Sequence, residues 1–141
     1  MRNNLNSSGG NLSNLVRRAV ERGGDRPALL FRQESISWAE LDHDVDAVAR
    51  GLAGQCAPGD RVAVALGNVP DFARVYLGAL RAELVAVPIN PSYRAGELAH
   101  VLSDSGASIL VAGSGVAREV AEVRSQLPEL REVYQPGGAP G

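Results

Sequence analysis

Few residues in this chain have the type and spacing that chemistry requires. Gly113-Ser114-Gly115 follows an apolar run and opens a helical pattern, which is how a dinucleotide-binding fingerprint begins. That fingerprint needs a third glycine three residues on, so that helix and strand can pack closely. Arg118 stands there instead. Glu132 lies downstream at a suitable distance for a ribose-binding acid, but within a strand pattern rather than at its end. The expected role of the two glycines is a tight strand-to-helix turn. A small dinucleotide-dependent enzyme built on Gly113 and Gly115 is the third and least supported functional reading.

Asp42, Asp44 and Asp46 suggest a metal cluster until they are placed on a helix. Asp44 then projects about 160° from either neighbour, so the three do not converge and a solvated helix face is expected. His43 and His100 lie far apart, with no acid–nucleophile pattern around either. The single Cys56 sits in a polar loop without a partner cysteine or histidine, so it forms no internal disulfide, and a reducing cytoplasm is the expected location. All fourteen basic residues are arginine. The absence of lysine excludes both Schiff-base chemistry and a phosphate-loop lysine from this stretch. The terminal Pro136–Gly141 carries glycines but neither hydroxyls nor a following helix, so it is not a phosphate loop.

The elements that would position any site are legible from periodicity. Apolar runs at Arg61–Leu66, Leu84–Ile89, Ser108–Ala112 and Arg131–Gln135 recur about every 23 residues, the length of a strand, a short helix and two tight loops. The first three lack polar alternation, as strands covered on both faces do. The fourth is more polar and fits an edge. Leu41, Val45, Val48 and Leu52 form one helical stripe, preceded by the capping box Ser37-Trp38-Ala39-Glu40. A second helix begins near Pro70 and carries Phe72, Val75, Tyr76 and Ala79. A third carries Leu98, Val101 and Leu102 and stops at Gly106. A fourth carries Val116, Val120, Val123 and Leu127 and is ended by Pro128. Upstream, Leu12, Leu15, Val16 and Ala19 form an amphipathic helix stopped by Gly23-Gly24, and a β-hairpin joins Ala28–Phe31 to Ser35–Trp38.

The fold class is therefore α/β: an open, mostly parallel sheet of βαβ units with an N-terminal helix and a small hairpin. The expected organisation is a disordered lead-in over 1–11, one α/β unit over 12–135 and a linker or truncation tail over 136–141. A net charge of −2 steers the whole chain toward neither nucleic acid nor anionic membrane. No apolar run reaches the roughly 20 residues of a transmembrane segment.

Two stretches carry a resemblance. Ser35-Ile-Ser-Trp-Ala-Glu-Leu41 resembles the first signature of the adenylate-forming (ANL) superfamily, and Leu77–Pro91, ending Val-Pro-Ile-Asn-Pro, resembles the second. Asp25–Ala28, Pro58–Val62 and Glu97–Ala107 are similar to the same family in order and spacing, so the likeness covers about residues 12–135. The Val-Pro-Ile-Asn-Pro ending leans toward acyl-CoA synthetases, the AMP-dependent synthetases and ligases.

The resemblance implies an acid–thiol ligase in which a carboxylate, expected to be a fatty acid, attacks the α-phosphate of ATP to give acyl-AMP and pyrophosphate. Coenzyme A then displaces AMP. It also implies Mg²⁺, a Ser/Thr/Gly-rich phosphate loop and a catalytic lysine supplied by later sequence. This chain corresponds to the N-terminal portion alone, so no catalytic residue is assigned, no cofactor is expected to bind tightly, and the lone chain is expected to be inactive. By resemblance, Arg81 and Asn90 are the cofactor-side candidates, facing coenzyme A in the complete enzyme. Helix-dipole complementarity for Arg81 and an Asx turn for Asn90 are their structural alternatives. Glu83 replaces the family's usual glycine before the second strand, at about 1 kcal/mol if the left-handed conformation is kept. A stand-alone nucleotide- or protein-binding module derived from the same fold is the alternative function. Unpaired strands imply self-association or packing against downstream sequence.

Overall fold

The computed structural model describes residues 10–137. The expected lead-in therefore lies mostly outside the described residues, as do the last four residues of the tail. Asn11, placed in the lead-in by composition, is held in structure: its side-chain amide donates to the Leu80 carbonyl at 2.7 Å, and its Oδ1 accepts from the Ser13 N–H and hydroxyl.

Helix α1 (Asn14–Gly23) leads into a hairpin of β1 (Pro27–Phe31) and β2 (Glu34–Ser37), which is antiparallel. Helix α2 (Trp38–Ala53) starts at the predicted capping box, with both of its hydrogen bonds formed between Ser37 and Glu40. The βαβ units then follow as β3 (Arg61–Ala65), α3 (Pro70–Arg81), β4 (Val85–Pro88), α4 (Ala95–Ser105), β5 (Ile109–Ala112), α5 (Ser114–Val123) and β6 (Glu132–Tyr134). A 3₁₀ turn at Arg124–Gln126 extends α5, which lets Leu127 join the same buried stripe as Val116, Val120 and Val123.

The four later strands form one parallel sheet in the order β4-β3-β5-β6. Chain direction across the sheet reverses between β3 and β5. The helices change face at the same point, as a constant hand of crossover requires. Val62, Val64, Ile109 and Val111 face Leu52, Val75 and Ala79 of α2 and α3. Ala63, Ala65, Leu110 and Ala112 face Leu98, Leu102, Val116 and Val120 of α4 and α5. This explains the missing alternation: Val62–Ala65 of β3 and all of β5 are apolar and buried because both faces are covered. A third cluster joins Val16, Ile36, Leu41 and Val45, tying α1 and the hairpin to α2.

Two backbone positions explain how the elements close on one another. Gly78 of α3 meets α2 so closely that an added Cβ would lie 2.5 Å from Val48 Cγ1. Gly106 ends α4 with φ +63, the predicted left-handed stop. Glu83 adopts the left-handed conformation expected where the resemblance implies a glycine, with φ +61. Its N–H donates to Leu80 and that of Leu84 to Ala79, closing the end of α3.

Several expectations need correction. On α2 the deeply buried stripe is Leu41, Val45, Ala49 and Leu52, while Val48 is half-buried. Of the residues expected to face inward on the first helix, Val16 is buried, but Leu12, which precedes α1, and Leu15 are 49% and 52% exposed. The aspartates of α2 are not a free solvated face. Asp42 and Asp46 both bond Arg81, and Asp44 bonds Arg74, because α3 lies directly alongside α2. Gly113 is a one-residue connection, but with φ −74 and open space around both Gly113 and Gly115, its backbone does not require glycine.

Candidate functional site

The carboxyl ends of parallel strands are where such sheets receive ligands, and the point of reversal opens a crevice between the loops. Here that point lies between β3 and β5. A cleft of about 560 Å³ opens there, floored by Ala65 at the end of β3, by Leu66 and Gly67 after it, and by Gly113, Gly115 and Val116 after β5. Pro91 after β4 and Pro136 after β6 reach the same cleft. Phe31 and Glu34 of the hairpin close one side, and Asp71 and Arg74 of α3 form the charged wall.

Local sequence accounts for this placement. Pro70 at the first position of α3 fixes the turn out of the Leu66–Val69 loop, and its missing N–H leaves no donor unpaired there. Arg74 follows one helical turn later. Its Nε donates to Asp44 at 2.8 Å and its Nη1 to Asp71 at 3.0 Å. Burial works against the Arg74 charge, but its hydrogen bonds to Asp71 and Asp44 outweigh burial and raise its pKa above the usual arginine value. The guanidinium is thus a fixed, permanently charged part of the wall. With Glu34 and Asp71 beside it, the lining carries two carboxylates against one guanidinium, a poor cradle for a bare polyphosphate.

A model of the family described as AMP-binding enzyme matches residues 16–138. The chain belongs to the AMP-binding enzyme family. Long-chain fatty acid transport protein 1 of Rattus norvegicus is 37% identical over 123 residues, covering 85% of this chain and 19% of that protein. Tyrocidine synthase 3 of Brevibacillus parabrevis is 32% identical over 123 residues, covering 86% of this chain and 2% of that protein. Among solved structures, a Mycobacterium tuberculosis fatty acyl CoA synthetase superposes with a TM-score of 0.83 at 25% identity, covering 89% of this chain and 26% of that one. The chain spans about a quarter or less of each of these relatives. The resemblance read from the two signature stretches is thereby shown, as is the α/β fold class.

Within this AMP-binding fold the two resemblance-derived residues do not come together. Asn90 follows β4 at the carboxyl edge, next to Pro91 of the cleft. It is exposed, and its Oδ1 accepts from the Ser92 N–H at 2.9 Å, an Asx turn. Arg81 ends α3 at the opposite edge of the sheet, roughly 16 Å along the helix from Pro70. Its side chain is 7% exposed. It donates to Asp42 Oδ1 at 2.8 Å, Asp46 Oδ1 at 2.9 Å and the Ser13 carbonyl at 3.2 Å, so it joins α1, α2 and α3.

Sequence reading missed Arg74, Asp71 and the Leu66–Val69 loop. The only signal available was that the loop follows the first parallel strand, and strand order had to be known before that mattered. His43 and His100 are both exposed. Cys56 is half-buried and packs against the α2–α3 side of the sheet rather than lying free in its loop.

Proposed function

We propose that this chain is the N-terminal sheet unit of an ATP-dependent acyl-CoA ligase that activates a carboxylic acid, a fatty acid by its relatives, as acyl-AMP before transfer to coenzyme A. The observation that carries the reading is the AMP-binding match over residues 16–138 in a chain covering about a quarter of its relatives. The activity belongs to the longer protein. In that protein the cleft at the β3–β5 reversal is one wall of a larger site, and Asn90 stands on its rim on the side assigned to coenzyme A.

The residues present do not fit Mg²⁺–ATP by themselves. The chain has no lysine, and its cleft offers one guanidinium already bonded to two carboxylates. Among the described residues no group of three or more His, Cys, Asp or Glu side chains could hold a metal ion. The phosphate-binding and metal-binding parts are therefore assigned to sequence outside this chain. No helix among the described residues is long and apolar enough to cross a membrane.

Calorimetric titration of the 141-residue chain with Mg²⁺–ATP and with coenzyme A tests this reading against a stand-alone binding module. No saturable heat is expected at micromolar concentrations. Saturable micromolar binding of either ligand would replace the fragment reading with the binding-module one.

A further inference from the structure

Helix α4 begins without a capping side chain of its own. Ser, Thr, Asp and Asn are the residues that usually meet the free amides of a first helical turn. The residue before Ala95 is Arg94, whose guanidinium carries donors only and cannot accept an amide proton. The acceptor comes from another helix. Glu119 of α5 stands 24 residues beyond Ala95, and its Oε2 accepts the Ala95 N–H at 2.9 Å. Its Oε1 lies 3.5 Å from Arg94 Nε. Glu119 is 25% exposed and Arg94 83%, so the amide bond rather than the ion pair carries the contact. A carboxylate in this place also meets the positive end of the α4 dipole.

The segment that this bond closes is the rim of the cleft. Between β4 and α4 the chain passes through Asn90, Pro91, Ser92, Tyr93 and Arg94. Asn90 Oδ1 accepts from the Ser92 N–H at 2.9 Å, and the Asn90 carbonyl accepts from the Tyr93 N–H at 3.1 Å. The Arg94 N–H donates to Glu97 Oε2 at 2.9 Å. These bonds are local, so they shape the rim without fixing where it stands. Its near end is placed by the Ile89 N–H, which donates to the Val64 carbonyl of β3. Tyr93 packs against the α4–α5 side of the sheet, and Glu119 supplies the hydrogen bond to a separate helix. One turn earlier on α5, Val116 lines the same cleft as Pro91. A single turn of α5 thus carries a residue of the cleft and the residue that holds its rim.

Resting on the ligase reading above, we propose that Glu119 is a positioning residue for the coenzyme A half-reaction, holding the 90–94 rim in place against α5. It touches no substrate itself. Its effect falls on the step that uses the Asn90 side of the cleft and leaves activation of the acid unchanged.

Two measurements test this. In the 141-residue chain, amide hydrogen exchange reads the rim directly. Glu119→Ala is expected to lower protection at Ala95 about tenfold, the loss of one charge-assisted hydrogen bond, while the amides of β3 and β5 keep theirs. Glu119→Gln retains an acceptor oxygen and is expected to restore most of that protection. In the chain joined to its downstream sequence, Glu119→Ala is expected to raise the KM for coenzyme A roughly fivefold, with acid-dependent ATP–pyrophosphate exchange unchanged. Glu119→Gln is expected to stay close to wild type. Unchanged protection at Ala95 in Glu119→Ala would overturn the hold on the rim. Lost protection with an unchanged KM for coenzyme A, or with an equal fall in exchange, would overturn the positioning role. A longer wild type without acid-dependent exchange would overturn the ligase reading itself, and the positioning role with it.

Discussion

Glu83 and Asp46 show two ways in which single residues set the stability of this fold. Glu83 holds φ +61, a conformation that disfavours side chains with a Cβ, because the chain must turn sharply from α3 into β4. Replacing it with glycine is expected to raise stability by about 1 kcal/mol, read from the urea midpoint at constant m-value. No change or a loss would mean that the Glu83 side chain contributes something its exposed position does not show. Asp46 answers to pH. Burial pushes its carboxyl up, but the Arg81 hydrogen bond and the charges of Arg81, Arg17 and Arg50 outweigh this and hold it below the usual carboxylate range. Its folded pKa is thus lower than its unfolded one, so its stabilisation is complete above the unfolded value of about 3.9 and is lost as pH falls through and below it. The urea midpoint of the wild type is expected to fall more steeply than that of Asp46→Asn once pH drops below about 4. Parallel acid limbs would contradict the assignment. The conformation of Glu83 was legible only through the resemblance, which implies a glycine at that position. The pairing of Asp42 and Asp46 with Arg81 was not, because it depends on which helix lies beside α2.

At the scale of elements, the approach of α2 to α3 fixes the most. Gly78 permits it, since a Cβ there would stand 2.5 Å and 2.7 Å from two carbons of the half-buried Val48. Gly78→Ala would ordinarily favour a helix, but here it is expected to destabilise by roughly 1–3 kcal/mol through overpacking. Chemical denaturation measures this, and a stabilised variant would mean that the helices part at little cost. The capping box at Ser37, the proline start of α3, the glycine stop of α4 and the Val116–Leu127 stripe could all be read beforehand, because each rests on a few adjacent residues. The inward face of α1 could be read only in part. Leu12 and Leu15 have helical spacing, but Val16 is the residue that meets the hairpin, and periodicity does not say which neighbour arrives.

For the molecule as a whole, the βαβ order was legible from the recurring apolar runs, and the strand order was not. Every run between covered faces looks alike, so nothing local marks β3 and β5 as the centre or places the reversal between them. The cleft and Arg74 followed only once that order was known. The two edges differ in kind. Val85 and Ile89 donate their N–H groups to Asp60 and Val64 of the β3 side, so Ala86 and Pro88 turn their backbone outward. Pro88 has no N–H to offer, which blunts the β4 edge. The β6 edge is only three residues long and carries no such block. Sedimentation velocity is expected to show concentration-dependent association of the lone chain, as an open β6 edge predicts. A monomer at high concentration would count against a sheet that continues into further sequence. The central claim is that the fold supplies a wall of an adenylate-forming site without its reacting parts. ATP–pyrophosphate exchange, measured with a panel of carboxylic acids, tests it most directly. The 141-residue chain is expected to give only background exchange, with activity appearing when its downstream sequence is joined to it. Acid-dependent exchange by the chain alone would contradict the account.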